Sequence, residues 1–301
     1  MWLLYLLLHT FFLALVNYID EHLTHVSTSK EAKSVHERVG GVLLISMLFT
    51  FIGIILMYII TPTVQISQAG LWLALASSPL MALTWAGYFY GLQFYSTHKV
   101  VPLFAFTSIW LLVIELFAGG VVKPAALIGV AVLMVGGYVL DVGAFKWRIP
   151  SRLVVWFLPV TLAAAVELFV IKKATQIDPP LVIYFWHLVG IFGLGLLSLL
   201  VPAYRRGLQQ RVQYEGSRFL LFSSLNEGSA QVAYLFGLLS VAYAPLAVYF
   251  SAATPGVQSL MLMILLFFKP LDDRNYITRV QWLGVVGIGT GVALLEVARL
   301  G

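Results

Sequence analysis

Long apolar runs follow one another along this chain with little polar sequence between them, and that spacing leaves it few ways to fold. The runs fall at 2–20, 39–60, 71–94, 100–119, 122–141, 153–173, 180–201, 217–240, 244–268 and 280–298. A helix needs about twenty apolar residues to cross a bilayer, and each run is close to that length. The longest polar gaps, at 21–38, 142–152, 202–216 and 269–279, are too short for a soluble domain. Inside hydrocarbon every backbone polar group must be satisfied within the protein, which runs of this length achieve as helices. The expectation is an all-α integral membrane protein with ten transmembrane helices in one membrane domain.

Charge supports the same conclusion. Asp, Glu, Lys and Arg make up 10% of the residues, whereas a soluble domain carries about 25% to keep its surface wetted. The net charge of +5 fits basic loops at a membrane face better than a nucleic-acid surface, so no nucleic-acid partner is expected. Cysteine is absent, which removes disulfides and thiol chemistry. The first run has no basic start before Trp2, and Asn17-Tyr18-Ile19-Asp20 offers no small-residue cleavage site, so it reads as a span and not a signal peptide. Ser27, Thr28 and Ser29 are candidate caps for a polar start to the second helix, with Glu31 in its first turn.

The chain resembles itself. Slid by 146 residues, Ser77-Ser78 meets Ser223-Ser224, Tyr88 meets Tyr234 and Gly91-Leu92 meets Gly237-Leu238. A longer offset brings Gly129 and Gly136 onto Gly284 and Gly291, and Asp141 onto Glu296, while Gly40 falls on Gly190. The consistent order suggests two five-helix copies, 1–145 and 146–301. Five spans is an odd number, so the second copy enters the membrane from the opposite side. Two inverted repeats with a binding site between them is a recurring plan of secondary transporters. Of the 18 Lys and Arg, fourteen fall in alternate gaps on one side, which by the positive-inside rule places both termini outside the cytoplasm.

The second copy carries Tyr234-Leu-Phe-Gly-Leu-Leu239, then Ala252-Ala253-Thr254-Pro255, then Gly284 and Gly291; the first follows the outline through Tyr88-Phe-Tyr-Gly91, Gly129 and Gly136-Gly137. In these stretches the chain resembles the EamA-type transporters of the drug/metabolite transporter superfamily. That resemblance implies a ten-helix transporter, an exporter of a small organic metabolite working by alternating access, in the plasma (cell inner) membrane. It also implies cytoplasmic termini, opposite to the loop charges.

Ionisable groups inside hydrocarbon are costly and mark pathways. Glu227 lies mid-span with Asn226 beside it, and Gln231 and Tyr234 continue its face at helical spacing. That strip supplies one titratable group and several hydrogen-bonding ones, as a solute path requires. Glu167 lies deep in the sixth span, and His187 in the seventh could exchange a proton near neutral pH. Asn17, Tyr88, Pro255 and Gln258 complete the candidate set for substrate binding or coupling. Pro255 frees the carbonyl of Ser251. Glu115, Trp85, Gln93 and Trp110 are weaker candidates. A structural origin stands beside each assignment, because a protonated Glu bonded to a neighbouring helix, a hydrogen-bonded His or a packing kink would leave the same pattern.

No phosphate-binding loop or His-Glu-x-x-His pair occurs, and the six His are scattered. No metal, cofactor or catalytic residue is therefore expected, and the chain does not read as an enzyme. The expected partners are a small-molecule metabolite, the lipid bilayer and protons coupled through Glu227 or Glu167. Few charges in the path favour a neutral, zwitterionic or amphipathic solute. Two readings remain open beside transport: a membrane-embedded enzyme handling lipid headgroups, for which only Asp20, Glu21, His22 and His25 cluster, and a ligand sensor without flux.

Overall fold

A computed structural model describes residues 1–26, 34–61, 63–95, 100–142, 151–267 and 279–300. Ser27, Thr28, Ser29 and Glu31, and the side chains of Glu21, His22, His25 and Asp141, lie outside the described residues. Ten α-helices occur among those described, and no strand: α1 (Trp2–Val26), α2 (Val35–Ile60), α3 (Gln68–Leu92), α4 (Ala105–Phe117), α5 (Pro124–Val142), α6 (Ser151–Ala174), α7 (Pro180–Ser198), α8 (Pro202–Tyr243), α9 (Ala247–Phe267) and α10 (Arg279–Leu300). A 3₁₀ turn, Val101–Phe104, leads into α4.

Six of these helices, α2, α3, α6, α7, α9 and α10, contain stretches long and apolar enough to cross a membrane by length and composition. Parts of α1, α4 and α5 are apolar but shorter. The chain is thus a bundle of apolar helices with the character of a multi-pass membrane protein. Large apolar side chains such as Ile59, Trp72, Leu283 and Val286 lie exposed on its outer faces, where lipid would replace water as their neighbour.

Local sequence sets the helix ends. Ser34, not an earlier serine, caps α2: its hydroxyl accepts from the Glu37 amide at 3.2 Å. Ser67 caps α3 through the Gly70 amide at 3.0 Å. Pro180 and Pro202 stand in the first turns of α7 and α8, where their missing N–H costs nothing.

The segment 202–216, expected to be a polar loop, is helical up to a break at Gly216, whose φ of 60° only glycine adopts freely. This polar arm of α8 is held against α2. Arg206 Nε donates to Glu37 Oε1 at 3.0 Å, and Gly207 packs on the α2 backbone near Glu37 and Gly41. Its charges look like those of a loop, but its contacts are those of a docked helix.

Close approach is concentrated at glycines. α5 and α10 meet over Gly129 and Gly136 on one side and Gly284, Gly287 and Gly291 on the other. A Cβ on Gly136 would lie 2.9 Å from the Ile288 amide nitrogen, and one on Gly284 2.8 Å from the Gly136 carbonyl oxygen. Small residues at such crossings let backbones approach in lipid, where helix association depends on van der Waals contact. Elsewhere α8 packs against α1 and α2, α3 against α6 and α7, α2 against α7, and α9 against α1, α4 and α5.

One end of the bundle is tied by polar contacts. Glu115 Oε1, at the end of α4, accepts from the Ala247 amide at 2.7 Å and the Val248 amide at 3.4 Å, capping α9. Lys172 Nζ donates to the carbonyls of Val241, Ala242 and Ala244 at 2.9, 3.0 and 2.5 Å, closing the C-terminal end of α8. Trp2 Nε1 donates to Glu296 Oε1 at 2.6 Å, and Asp178 accepts from the Ser67 hydroxyl at 2.6 Å.

Candidate functional site

Between the helices lies a cavity of about 210 Å³, walled by α1, α2, α3, α4, α6, α7, α8 and α9 and by the 3₁₀ turn. It reaches from Val241 near the end of α8 to Asp20 and Phe104 toward the opposite end of the bundle. Of the ten candidates from the sequence, nine face it: Asn17 on α1, Tyr88 on α3, Glu167 on α6, His187 on α7, Asn226, Glu227 and Tyr234 on α8, and Pro255 and Gln258 on α9.

Gln231 does not. It shares the helical face of Glu227, but the Tyr184 hydroxyl draws it sideways, donating to its backbone oxygen at 2.8 Å and to its side-chain oxygen at 3.0 Å. It sits between α2 and α7, where it fills the space a side chain on Gly53 would take. Of the weaker candidates, Trp85 lines the cavity, while Glu115 is the cap of α9.

Three carboxylates face this space. Asp20, Glu167 and Glu227 are 3%, 6% and 4% exposed, although each lies on a different helix or helix level. Asn226 Nδ2 donates to Asp20 Oδ1 at 2.7 Å, and the Glu227 carboxylate is close enough to act on Asp20 electrostatically. Ser46 of α2 hydrogen-bonds Glu227. Glu167 has no hydrogen-bond partner among the described residues, and its nearest polar influence is on Tyr234.

Aromatic rings form much of the remaining wall. Trp85 Nε1 donates to the Tyr234 hydroxyl at 2.8 Å, and the two rings stand 5.6 Å apart. The Tyr88 hydroxyl donates to Asn17 Oδ1 at 2.8 Å, and its ring lies 6.3 Å from that of Phe104. Both histidines of the wall are held by fixed partners. His9 Nδ1 donates to the Ala233 carbonyl at 2.7 Å. His187 Nδ1 meets the Ser77 hydroxyl at 2.7 Å, and Ser77 in turn donates to the Ala74 carbonyl. That chain leaves His187 Nδ1 as the donor and Nε2 as an acceptor.

Pro255 falls inside a continuous α9, with two hydroxyls bonded nearby. Thr254 donates to the Phe250 carbonyl at 2.8 Å, and the Ser251 hydroxyl pairs with Ser108 of α4 at 3.1 Å. Asp20, a cavity residue, is absent from the ten candidates because sequence reading ends the first helix there. The helix continues to Val26, so Asp20 stays in the interior. Ser46 and His9 carry no sequence signal beyond being polar in an apolar run.

No protein-family model and no curated protein sequence matches this chain. A solved crystal structure is similar to it over 95% of this chain and 97% of its own, with a TM-score of 0.59 and 18% identity. That likeness bears on the fold alone.

Proposed function

We propose that this chain is a secondary transporter, one that moves a small organic metabolite across a membrane by alternating access between two inverted five-helix halves. The observation that carries the reading is the cavity: it is lined by both halves of the chain, holds three buried carboxylates and has a wall that is mostly apolar and aromatic, with scattered hydrogen-bonding side chains.

The pairing of helices supports the two-copy plan. Advancing each helix by five turns the contact of α1 with α8 into that of α6 with α3. It likewise turns α2–α8 into α7–α3 and α1–α9 into α6–α4, and each of these pairs packs together. The contacts α5–α10, α2–α7 and α4–α9 map onto themselves. Individual residues follow: Gly91 packs on Phe157 of α6, and Gly237 packs on His9 of α1. Gly129 meets Gly291 while Gly136 meets Gly284, a reciprocal pairing across a two-fold relationship.

Counting α1, α4, α5 and the inner part of α8 with the six longer helices gives ten spans. The inner part of α8 is less apolar because it carries Asn226, Glu227 and Gln231 into the bundle. The likeness to EamA-type transporters accords with export, with a place in the plasma membrane and with transport in preference to catalysis. Glu227, beside Asp20 and bonded to Ser46, is the group we assign to proton coupling, with Glu167 as the second acidic group in the same space.

The test is flux in proteoliposomes, using a pooled metabolite library with and without a pH gradient, for the wild type and Glu227→Gln. Wild-type flux driven by the gradient, with the pH dependence lost in Glu227→Gln, is the expected result. Unchanged pH dependence in the variant removes Glu227 from coupling. No flux of any compound shifts the reading to a sensor or a membrane-embedded enzyme.

A further inference from the structure

Asp20, Glu167 and Glu227 face the cavity, and no Lys or Arg among the described residues lines it. Lys172 follows directly on the lining residue Ile171, yet its ammonium turns away and spends its three protons on the carbonyls of Val241, Ala242 and Ala244. The two histidines of the wall have their Nδ1 atoms committed to Ala233 and Ser77.

Glu167 is the second observation. It is 6% exposed, lines the cavity and has no hydrogen-bond partner among the described residues, while elsewhere on the wall the side-chain oxygen of Asn226 is likewise unsatisfied. A buried carboxylate with nothing to balance it is costly in a membrane span and is relieved by a proton or by a positive partner. Tyr234 lies within reach of its charge, the Trp85 ring packs on Tyr234, and Tyr88 and Phe104 line the same cavity. Aromatic faces bind cations, and do so better when water is excluded.

The carboxylates are spread around the wall: among the described residues no three acidic or histidine groups converge to hold a metal ion. A bare inorganic cation requires several converging oxygens, whereas a larger cation with apolar substituents can touch a carboxylate on one side and rings on the other.

We propose that this cavity binds a small organic cation, a primary amine or quaternary ammonium compound, whose charge sits at Glu167 and whose carbon substituents rest on Trp85, Tyr88 and Tyr234. This deepens the transporter reading by naming the substrate class, and it narrows the neutral, zwitterionic or amphipathic solute expected from the sparse charges of the sequence to an amphipathic cation. The volume, about 210 Å³, suits a small solute.

The experiment is calorimetric titration of the purified full chain in lipid nanodiscs. The probes are choline and butylamine, their uncharged counterparts 3,3-dimethylbutan-1-ol and butan-1-ol, and the anion butanoate. The expected result is saturable binding of at least one cation, about tenfold or more tighter than its uncharged counterpart, with butanoate weaker still. Glu167→Gln should reduce cation binding by about tenfold and leave the unfolding midpoint unchanged or raised, because the carboxylate has no partner to lose.

Equal binding of charged and uncharged probes, preference for butanoate, no binding of any probe, or undiminished cation binding in a folded Glu167→Gln protein each overturns the proposal. The wild-type series decides the question even if the variant does not fold. Saturable choline binding without choline counterflow in proteoliposomes upholds the cation site and contradicts transport. Flux of anionic or neutral solutes with no cation binding upholds transport and contradicts the cation site.

Discussion

Asn226 donates its side-chain amide to Asp20 across 2.7 Å, joining α8 to α1 at a point where both residues are almost wholly buried. The bond fixes one carboxylate oxygen of Asp20 next to Glu227, so two acids on different helices share one region of the cavity. A double-mutant cycle of Asp20→Asn and Asn226→Ala, read by unfolding in detergent, should give a coupling of about 1–2 kcal/mol. Additive effects of the two changes would mean that the bond contributes nothing to holding α1 on α8.

Lys172 makes the second prediction. Its ammonium satisfies three carbonyls at the end of α8, groups a helix otherwise leaves open. Lys172→Met should destabilise the fold by about 3 kcal/mol, since hydrogen bonds to a charged group are worth about 1.5–3 kcal/mol each and are not additive. Lys172→Arg should recover part of the loss. A thermal melt of the purified protein separates the two variants, and a melt unchanged in Lys172→Met contradicts the role.

The glycines of α10 are not equivalent. A Cβ on Gly284 would collide with the α5 backbone, whereas one on Gly289 would meet nothing within 4 Å. Gly284→Ala should therefore cost about 1–3 kcal/mol through overpacking, and Gly289→Ala should stabilise by up to about 1 kcal/mol through helix propensity. Chemical unfolding of the two single variants checks the difference in sign.

Sequence reading located most of the cavity because a Glu or an Asn in an apolar run is costly and stands out. Glu167, Glu227 and Asn226 are legible for that reason. Gln231 is not, because periodicity gives the face of a helix but not which neighbour claims a long side chain; here Tyr184 does. Asp20 falls outside the candidate set because nothing local to Asn17-Tyr18-Ile19-Asp20 says that the helix runs on. The polar arm of α8 was hidden in the same way: its charges, which suggest a loop, are answered by Glu37 on a distant helix. Local pattern sets helices and their caps, while tertiary partners decide which polar groups stay inside.

Alternating access is the central claim, and the absence of cysteine in the sequence allows it to be measured directly. A single cysteine placed at Ala230, on the cavity wall, can be challenged with a membrane-impermeant maleimide from either face of sealed proteoliposomes. The account predicts labelling from both faces, with conditions that favour one face reducing labelling from the other. Labelling from one face alone under every gradient and solute tried would contradict it.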